Sequence, residues 1–231
     1  MNKLFTISLI LAVSMLTFSS AYGQHDDFNR WEFFGGYSYM NLNRGFDPDE
    51  FNDSFTDFPT NRVNAHGFNG SITYNFRKFI GAKFDLTLHS HGEDFNSGFI
   101  TVNPPLVTPG TFKTSQNVYQ FMGGIQIKNN SKEGPKLKPW AHILAGVADQ
   151  HFSLDRTAPT STQLFKVNST DFAMKLGGGL DIAVHKHIDV RVIGADWNPI
   201  FRGDLDLGPP LGTAQSVLQN NWLLNFGVVL H

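Results

Sequence analysis

The sequence of 231 residues contains no cysteine. It therefore has no disulfide framework, no thiolate nucleophile and no cysteine that could carry a lipid anchor. Charged residues make up only 16% of the chain, against about 25% in an average soluble protein. The formal net charge is −2 and no run of Lys and Arg occurs, so we expect no nucleic-acid partner. A surface covered entirely by water would carry more charge.

Long apolar runs are also missing. Residues 4–18 are apolar, but this run is shorter than the roughly 20 residues that a membrane-spanning helix or anchor needs. It follows Lys3 and precedes the small-residue segment 21–23, an order typical of a secretory signal peptide. We predict a signal peptide over residues 1–23 and a single domain over residues 24–231. Any membrane passage must then use strands.

Helical periodicity is absent, whereas period-two alternation of apolar and polar residues recurs along the chain, which is typical of strands with two unlike faces. The alternation predicts eight strands, most of them longer than the roughly 9–11 residues that a tilted strand needs to cross a bilayer. They cover approximately residues 30–42, 63–76, 79–89, 117–128, 138–152, 170–184, 187–198 and 220–231, with a bulge expected within 194–198.

The connections between these strands alternate in length. Short ones are expected at residues 77–78, 129–137 and 185–186, and long ones after the first, third, fifth (158–169) and seventh (200–219) strands. Short turns on one side and long loops on the other are typical of up-and-down barrels of the outer membrane. We therefore predict an all-β fold, an eight-stranded antiparallel up-and-down transmembrane β-barrel.

Alternation alone does not separate such a barrel from a secreted, lipocalin-like soluble barrel, which buries its apolar face inward. The polar face favours a membrane barrel over a soluble one, because its side chains are small or uncharged, whereas the outer face of a soluble barrel would carry Lys and Glu. It includes Gly36, Ser71, Thr73, Gly124, Gln126, Ala173, Gly177 and Gly179. Aromatic residues near strand ends are expected in the interfacial girdles, namely Trp31, Tyr39, Tyr74, Phe76, Tyr119, Trp140 and Trp222.

Several stretches resemble the outer-membrane β-barrel superfamily that includes opacity-type, OmpA-type and OmpX-type proteins and is often described as a porin family. They are residues 31–39 (WEFFGGYSY), 68–76 (FNGSITYNF), 138–142 (KPWAH), 176–181 (LGGGLD) and 189–192 (DVRV). The resemblance implies residence in the cell outer membrane, contact with its lipid and lipopolysaccharide, and insertion by the barrel assembly machinery. The predicted barrel leaves no room for the peptidoglycan-binding domain of the longer OmpA-type proteins, so we do not expect wall anchoring. The final residues Val229-Leu230-His231 differ from the aromatic ending common in this family.

Charged residues on the inward-facing side are the first candidate site. Because buried charge is tolerated only when it is paired or hydrated, we expect them to form a salt-bridge network that fills the lumen. The alternative is a gate, in which exchange of partners opens a narrow ion path. The residues are Glu32, Lys83, Asp85, Lys175, Asp181, Asp189 and Arg191.

Other polar residues suggest metal binding or catalysis. His89, His91, Glu93 and Asp94, at the start of the second long loop, have alternate spacing that could chelate a cation. We favour polar loop sequence as their explanation, because such spacings arise easily by chance, and the same holds for His185 and His187. We expect neither a metal nor a cofactor. A lipid A-modifying enzyme would need a Ser, His and acid near the outer rim. His66, His151 and Ser153 are the candidates, although no Gly-x-Ser-x-Gly motif occurs.

The long loops are aromatic and acidic, as in residues 46–51 and 53–58. Such loops could bind an extracellular ligand or pack together over the barrel. The sequence therefore predicts a non-enzymatic outer-membrane barrel that serves as a structural scaffold, with surface loops for binding or adhesion. A small or gated pore and a lipid A-modifying enzyme stay open as alternatives.

Overall fold

The computed structural model describes residues 27–44, 62–97, 110–158, 161–206, 213–214 and 216–231. The predicted signal peptide and the aromatic loop segments 46–51 and 53–58 lie outside these residues. The described strands are β1 Trp31–Asn43, β2 Arg62–Arg77, β3 Ile80–Ser97, β4 Gly110–Lys128, β5 Leu137–Ala158, β6 Thr162–His185, β7 Ile188–Arg202, β8 Leu205–Asp206, β9 Thr213–Ala214 and β10 Val217–Leu230.

Eight of these strands close into an antiparallel barrel in the order β1-β10-β7-β6-β5-β4-β3-β2. Each strand pairs with its neighbours along the chain, and β1 closes the ring by pairing with β10 from Phe33 opposite Leu230 to Asn41 opposite Trp222. The remaining pair, β8 and β9, forms a separate two-stranded sheet. The predicted eight-stranded up-and-down barrel is confirmed. No helix in the described part of the chain is long and apolar enough to cross a membrane.

The two ends of the barrel differ. Tight turns join β2 to β3 at Lys78 and Phe79, and β6 to β7 at Lys186 and His187, and we call this end the turn side. At the other end, the loop side, the strands run further than predicted. For example, β5 and β6 pair as far as Arg156 opposite Thr162, so most of the predicted loop at 158–169 is strand. The ladder continues there because backbone hydrogen bonds do not depend on which side chains the strands carry.

Large apolar side chains cover the outside of the barrel. Phe84, Phe121 and Phe172 are 53%, 47% and 52% exposed. This exterior apolar belt includes Phe33, Phe68, Ile72, Phe84, Phe121, Ile125, Ile143, Val147, Phe172, Leu176, Phe201, Trp222 and Phe226. A lipocalin-like soluble barrel would enclose these groups, so that alternative is wrong for this fold.

The bulge lies slightly before the predicted segment 194–198. Val192 and Ile193 both face outward, between inward-facing Arg191 and Gly194, and the register with both neighbouring strands shifts at this point. Two residues on the bulged strand then oppose one on each partner. The shift sets which residues of β7 point inward beyond it, including Asp196.

A charge placed in the apolar belt tests the assignment of the two faces. We expect Phe84→Lys to lower the free energy of unfolding in lipid vesicles by about 2–4 kcal/mol, the cost of a lysine near the bilayer midplane. Urea titration of tryptophan fluorescence measures it. Gln163→Lys, at an exposed position on the loop side, is the matched control and should change little. Equal, small effects of both substitutions would show that Phe84 does not contact lipid.

Candidate functional site: the filled lumen

All seven charged residues predicted to face inward lie inside the barrel. Glu32, Lys83, Asp85, Lys175, Asp181, Asp189 and Arg191 are each no more than 3% exposed. They form two groups at different heights in the barrel. The ring of Trp140 joins the groups, because Lys83 of one group and Arg191 of the other both lie against it. We call them the turn-side cluster (Glu32, Lys128, Lys138, Asp181, Asp189 and Arg191) and the central cluster (Lys83, Asp85, Lys175 and Asp196).

Lys128, at the end of β4, is the centre of the turn-side cluster. Its Nζ lies 2.8 Å from Oε2 of Glu32, 2.9 Å from Oδ2 of Asp181 and 3.4 Å from Oδ2 of Asp189. These three carboxylates come from β1, β6 and β7, so one ammonium group connects widely separated parts of the barrel wall. Asn75 donates a further hydrogen bond to Glu32 at 2.8 Å.

Asp181 and Arg191 form a second part of the same cluster. The guanidinium donates to both carboxylate oxygens, at 2.9 and 3.2 Å. It also lies between the rings of Phe34 and Trp140, 4.1 Å from each ring centre, a geometry that favours a cation. Trp140 Nε1 donates to Asp181 at 3.0 Å. The prediction that Trp140 belongs to an interfacial girdle is therefore wrong, because its ring is 4% exposed and lies in the lumen.

Asp189 binds groups from two further elements. Lys138, on β5, donates to both of its oxygens at 3.0 Å. Nε2 of His231 lies 2.7 Å from Oδ2, and this side chain is 1% exposed. The residue after β10 thus contributes to the lumen instead of extending away from it.

The central cluster is built around Asp85 on β3. Lys175 donates to its Oδ1 at 2.6 Å and to the Thr87 hydroxyl at 2.8 Å. Asn69 donates to Oδ2 at 2.9 Å. Lys83 is a weaker partner, 4.0 Å from Oδ2. Asp85 is therefore held from both its own strand and the strands beside and across from it.

A histidine connects Lys83 to the second carboxylate of this cluster. Nδ1 of His142 lies 3.1 Å from Nζ of Lys83, and Nε2 lies 3.0 Å from Oδ1 of Asp196. Asn225 donates to the other oxygen of Asp196 at 3.1 Å. Lys83 also lies 5.1 Å from the ring centre of Trp140, which links the central cluster to the turn-side cluster.

Two glycines on β6 provide the space for these side chains. A Cβ on Gly179 would lie 2.8 Å from Cζ2 of Trp140, and one on Gly177 would lie 1.9 Å from Oδ1 of Asp196. Such separations are shorter than van der Waals contact. The glycine pair predicted on the inward face is thus required by residues on the two adjacent strands, since Trp140 on β5 lies opposite Gly179 and Asp196 on β7 lies opposite Gly177.

Together the two clusters are electrically balanced. They contain five carboxylates, on Glu32, Asp85, Asp181, Asp189 and Asp196, and five cations, on Lys83, Lys128, Lys138, Lys175 and Arg191. Lys128, Lys138 and Asp196 were missed by sequence reasoning. The first two lie at strand ends beside turns, where a lysine normally faces water, and the third follows the bulge that shifts the alternation.

An apolar layer, which the sequence did not predict, extends through the lumen from beside the central cluster toward the loop side. Its members come from seven of the eight barrel strands, and each is at most 6% exposed: Met40, Leu42, Val63, Ala65, Val118, Met122, Leu144, Ala148, Ala173, Ile200 and Leu223. Gln120 crosses the same region to donate to Asn198 at 2.6 Å. Inward-facing residues are therefore mostly polar near the turns, and toward the loop side the apolar residues are interspersed with buried polar ones such as Ser38, His89 and Asn221.

Above the apolar layer, polar side chains return at the loop-side mouth of the lumen, formed by Arg44, Gln116, Gln150, Phe152, Arg202 and Gln219. Arg44 directly follows β1 and is 1% exposed. Burial lowers the pKa of Arg44 from its ordinary value, and attraction by the Glu93 carboxylate opposes that shift. A guanidinium keeps its proton under these conditions, so Arg44 brings a full positive charge to the mouth.

The histidines proposed as metal ligands have other partners. Nε2 of His89 lies 3.0 Å from the Ser38 hydroxyl, and Nδ1 of His91 lies 2.9 Å from the carbonyl of Asn64. His91 is 3.7 Å from Glu93, whereas Asp94 is exposed. No group of three potential metal ligands occurs among the described residues. All four candidates lie on β3 and not in a loop as expected.

The candidate catalytic residues are not brought together. His66, on β2, contacts the hydroxyl of Tyr37 on β1. It lies three strands away from His151, which is on β5. His151 uses Nε2 toward Asp149 at 3.0 Å and Nδ1 toward Asn168 at 2.6 Å. Both ring nitrogens are thus engaged.

Ser153 donates to Asp155 at 3.3 Å and not to a histidine. The arrangement needed to activate a serine hydroxyl is therefore not formed around it. His185 and His187 lie close together at the turn between β6 and β7, with ring centres 5.9 Å apart.

No protein-family model and no curated protein matches the sequence, but solved structures do. Neisserial surface protein A has 12% identity over 89% of this chain and 99% of its own, with a TM-score of 0.50. Ail, the attachment invasion locus protein of Yersinia pestis, has 12% identity over 87% and 97%, with a TM-score of 0.46. The outer membrane protease OmpT from Escherichia coli has 8% identity over 90% and 99%, with a TM-score of 0.49. The fold is that of the outer-membrane β-barrels, and identities this low leave the activity open.

Removal of the central ammonium group tests the turn-side cluster. We expect Lys128→Met to lower the free energy of unfolding by roughly 3–5 kcal/mol, because it leaves buried carboxylates without their shared partner. Urea unfolding in lipid vesicles measures the loss. Lys186→Met, in the exposed turn after β6, is the control and should have little effect.

A second substitution separates charge from packing. If charge imbalance causes the loss, adding Glu32→Gln to Lys128→Met should recover part of the stability. A double variant that is less stable than Lys128→Met alone would contradict the charge-balance explanation.

Proposed function

We propose that this protein is a closed, non-enzymatic barrel of the bacterial outer membrane, which holds a binding or adhesive surface outside the cell. The observation that carries this proposal is the filling of the lumen at successive heights. Balanced ion pairs occupy the turn side and the centre, and an apolar layer covers them on the loop side. An eight-stranded barrel is just wide enough for its own side chains, so this filling favours a scaffold over a channel.

The outer membrane is the environment that suits the exterior. An apolar belt on a closed barrel is covered by lipid, since a soluble protein rarely exposes a continuous apolar surface of this size. The implied contacts are outer-membrane lipid and lipopolysaccharide around the belt and the barrel assembly machinery during insertion. The predicted secretory signal peptide is consistent with export to that membrane.

The loop side supports a role outside the cell. Strands β5 and β6 have 22 and 24 residues, whereas about 9–11 residues cross a bilayer, so about half of each extends beyond the lipid. The outward faces of these extensions are polar. Asn117, Tyr119, His151 and Lys166 are among the residues that line an open cavity of about 340 Å³ there. Surfaces of this kind, held on a rigid barrel, are suited to binding.

The two alternatives have less support. A gated pore requires the ion pairs to exchange partners, and the apolar layer would still block water on the loop side. A lipid A-modifying enzyme requires an activated nucleophile, but Ser153 and His151 are engaged with other groups. Both alternatives have direct tests, because a pore conducts and an enzyme changes the mass of lipid A.

Conductance separates the scaffold from the pore. We expect the purified, folded protein to give no current steps in planar lipid bilayers in which a general porin conducts, because side chains fill the described lumen. Folding of the same sample is checked by its heat-dependent shift in gel migration. Stable current steps that change in size with Arg191→Ala would reject the scaffold and support a gated pore.

The surface role is tested by replacing loops at paired strand ends. The ladder of β1 and β2 reaches Asn43 opposite Arg62, and that of β3 and β4 reaches Ser97 opposite Gly110. Short Gly/Ser/Asn turns can therefore replace residues 45–61 or residues 98–109 with the barrel kept closed. We expect both variants to show heat-dependent gel migration like that of the unaltered protein.

The functional readout is attachment of cells that display the barrel to surfaces coated with extracellular matrix. We expect replacement of residues 45–61 to reduce attachment by cells that carry equal amounts of folded barrel, and replacement of residues 98–109 serves as the matched comparison. Attachment that is unchanged when both segments are replaced would contradict an adhesive role for these loops.

A further inference from the structure

Arg44 presents an unusual buried charge at the loop-side mouth. Its side chain is 1% exposed, and its Nε donates to Oε1 of Gln116 at 3.2 Å. The terminal nitrogens Nη1 and Nη2 are buried and make no hydrogen bond to any residue that the structure describes. Apart from the bond to Gln116, the guanidinium lies near the ring of Phe152, whose centre is 6.0 Å from Cζ.

A guanidinium in this state differs from those deeper in the lumen. Arg191 donates to both oxygens of Asp181, so its charge and its donors are matched within the protein. Arg44 has no such hydrogen-bonded carboxylate among the described residues, and Glu93 attracts it without satisfying its terminal donors. Burying a charged donor without a partner costs free energy, and a bound anion would satisfy both the charge and the free N–H groups.

The surrounding residues hold Arg44 in place and add a second positive charge. Its carbonyl oxygen accepts hydrogen bonds from Nη1 of Arg202 at 3.2 Å and from Nε2 of Gln219 at 3.0 Å. Gln150 in turn donates to Oε1 of Gln219 at 2.9 Å. Side chains from β4, β5, β7 and β10 therefore fix the position of one residue. Such preorganisation is typical of a binding site and is not needed for a residue that only covers the lumen.

A small cavity adjoins these groups. Its volume is about 30 Å³, and it is bordered by Arg44, Gln116, Gln150, Phe152, Val167, Ser169, Arg202 and Gln219. That volume accommodates only one or two water-sized groups. A carboxylate is also near, since Asp171 accepts from Gln150 at 3.4 Å and from the backbone of Gly203 at 3.1 Å. Asp171 attracts Arg202, and Glu93 attracts Arg44, so an anion at the mouth competes with one carboxylate at each arginine.

We propose that the loop-side mouth of the barrel is a binding site for a compact anion, held by the guanidinium of Arg44 with Arg202 beside it. The ligand is either a free inorganic anion of about the size of chloride or the terminal acid group of a larger molecule. The polar amides of Gln116 and Gln150 at the cavity wall provide further hydrogen-bonding groups. Arginine is suited to this role because its planar fork presents several donors to one anion.

This inference does not depend on the scaffold proposal. A closed lumen is compatible with an occupied or an empty mouth, because the apolar layer lies between the mouth and the ion-pair clusters. Failure of the anion site would leave the conductance result unaffected, and a conducting barrel could still bind an anion at Arg44.

Chloride NMR in detergent micelles tests the site. We expect folded protein to broaden the chloride resonance through exchange with a bound ion, and Arg44→Gln to abolish the excess broadening. Arg62→Gln removes an exposed arginine on β2 and is the matched control, which should keep the broadening. Equal broadening by the unaltered protein and by Arg44→Gln, or none by the unaltered protein, overturns the proposal.

Competition distinguishes the two sources of the anion. Loss of the chloride signal on addition of sodium acetate or sodium phosphate, at constant ionic strength, indicates a site for acid groups of larger ligands. Retention of the signal indicates a site for a halide-sized ion.

If Arg44→Gln does not fold, crystals of the unaltered protein soaked in bromide provide the second measurement. An anomalous peak beside the Arg44 guanidinium supports the site, and its absence there overturns it.

Discussion

Closure of the hydrogen-bond ladder between β1 and β10 is the constraint on which the rest of this structure depends. With β1 paired on both sides, the barrel sheet has no free edge, and its backbone groups are satisfied without water. Closure also fixes which side chains face inward, because alternate residues on every strand point into a space that only side chains can fill. The charged residues of the turn-side and central clusters must then find their partners within the barrel, which explains why these clusters contain cations and carboxylates in equal number.

The parts of the fold that could be predicted are those in which the two faces of a strand differ in chemistry. On β2, Phe68 and Ile72 alternate with Asn69 and Ser71, so the period is visible and the outward face is clear. On β5 it is not, because Trp140, Leu144 and Ala148 face inward while Ile143 and Val147 face outward. In such a strand, the apolar character of a residue does not show whether it faces inward or outward. The apolar layer and the inward position of Trp140 therefore could not be read from periodicity.

The limits of prediction for the charged clusters have a similar cause. The seven predicted residues lie in clear alternating segments, and the structure places them all in the lumen. Their main partners do not follow from local sequence. Lys128 contacts Glu32 across 96 positions of the chain and Asp181 across 53, and only the closed ring brings these three residues together. Strand ends were missed on the loop side for another reason, since beyond the apolar belt the outward face is polar and inward-facing apolar residues such as Phe112 and Leu154 are isolated among polar ones.

The apolar exterior and the filled lumen restrict the sequence of one part of the barrel, because changes there destabilise the fold. The loop-side part is not restricted in this way. Within the apolar belt, exterior residues are restricted to apolar side chains and interior residues by charge balance and packing, so little variation is compatible with folding. On the loop side the outward faces of β4, β5 and β6 meet water, and the mouth contains a buried arginine that the barrel does not need for closure. Arg44 even opposes stability unless something binds it. A costly group held in position by four strands is therefore better explained by a ligand than by the fold.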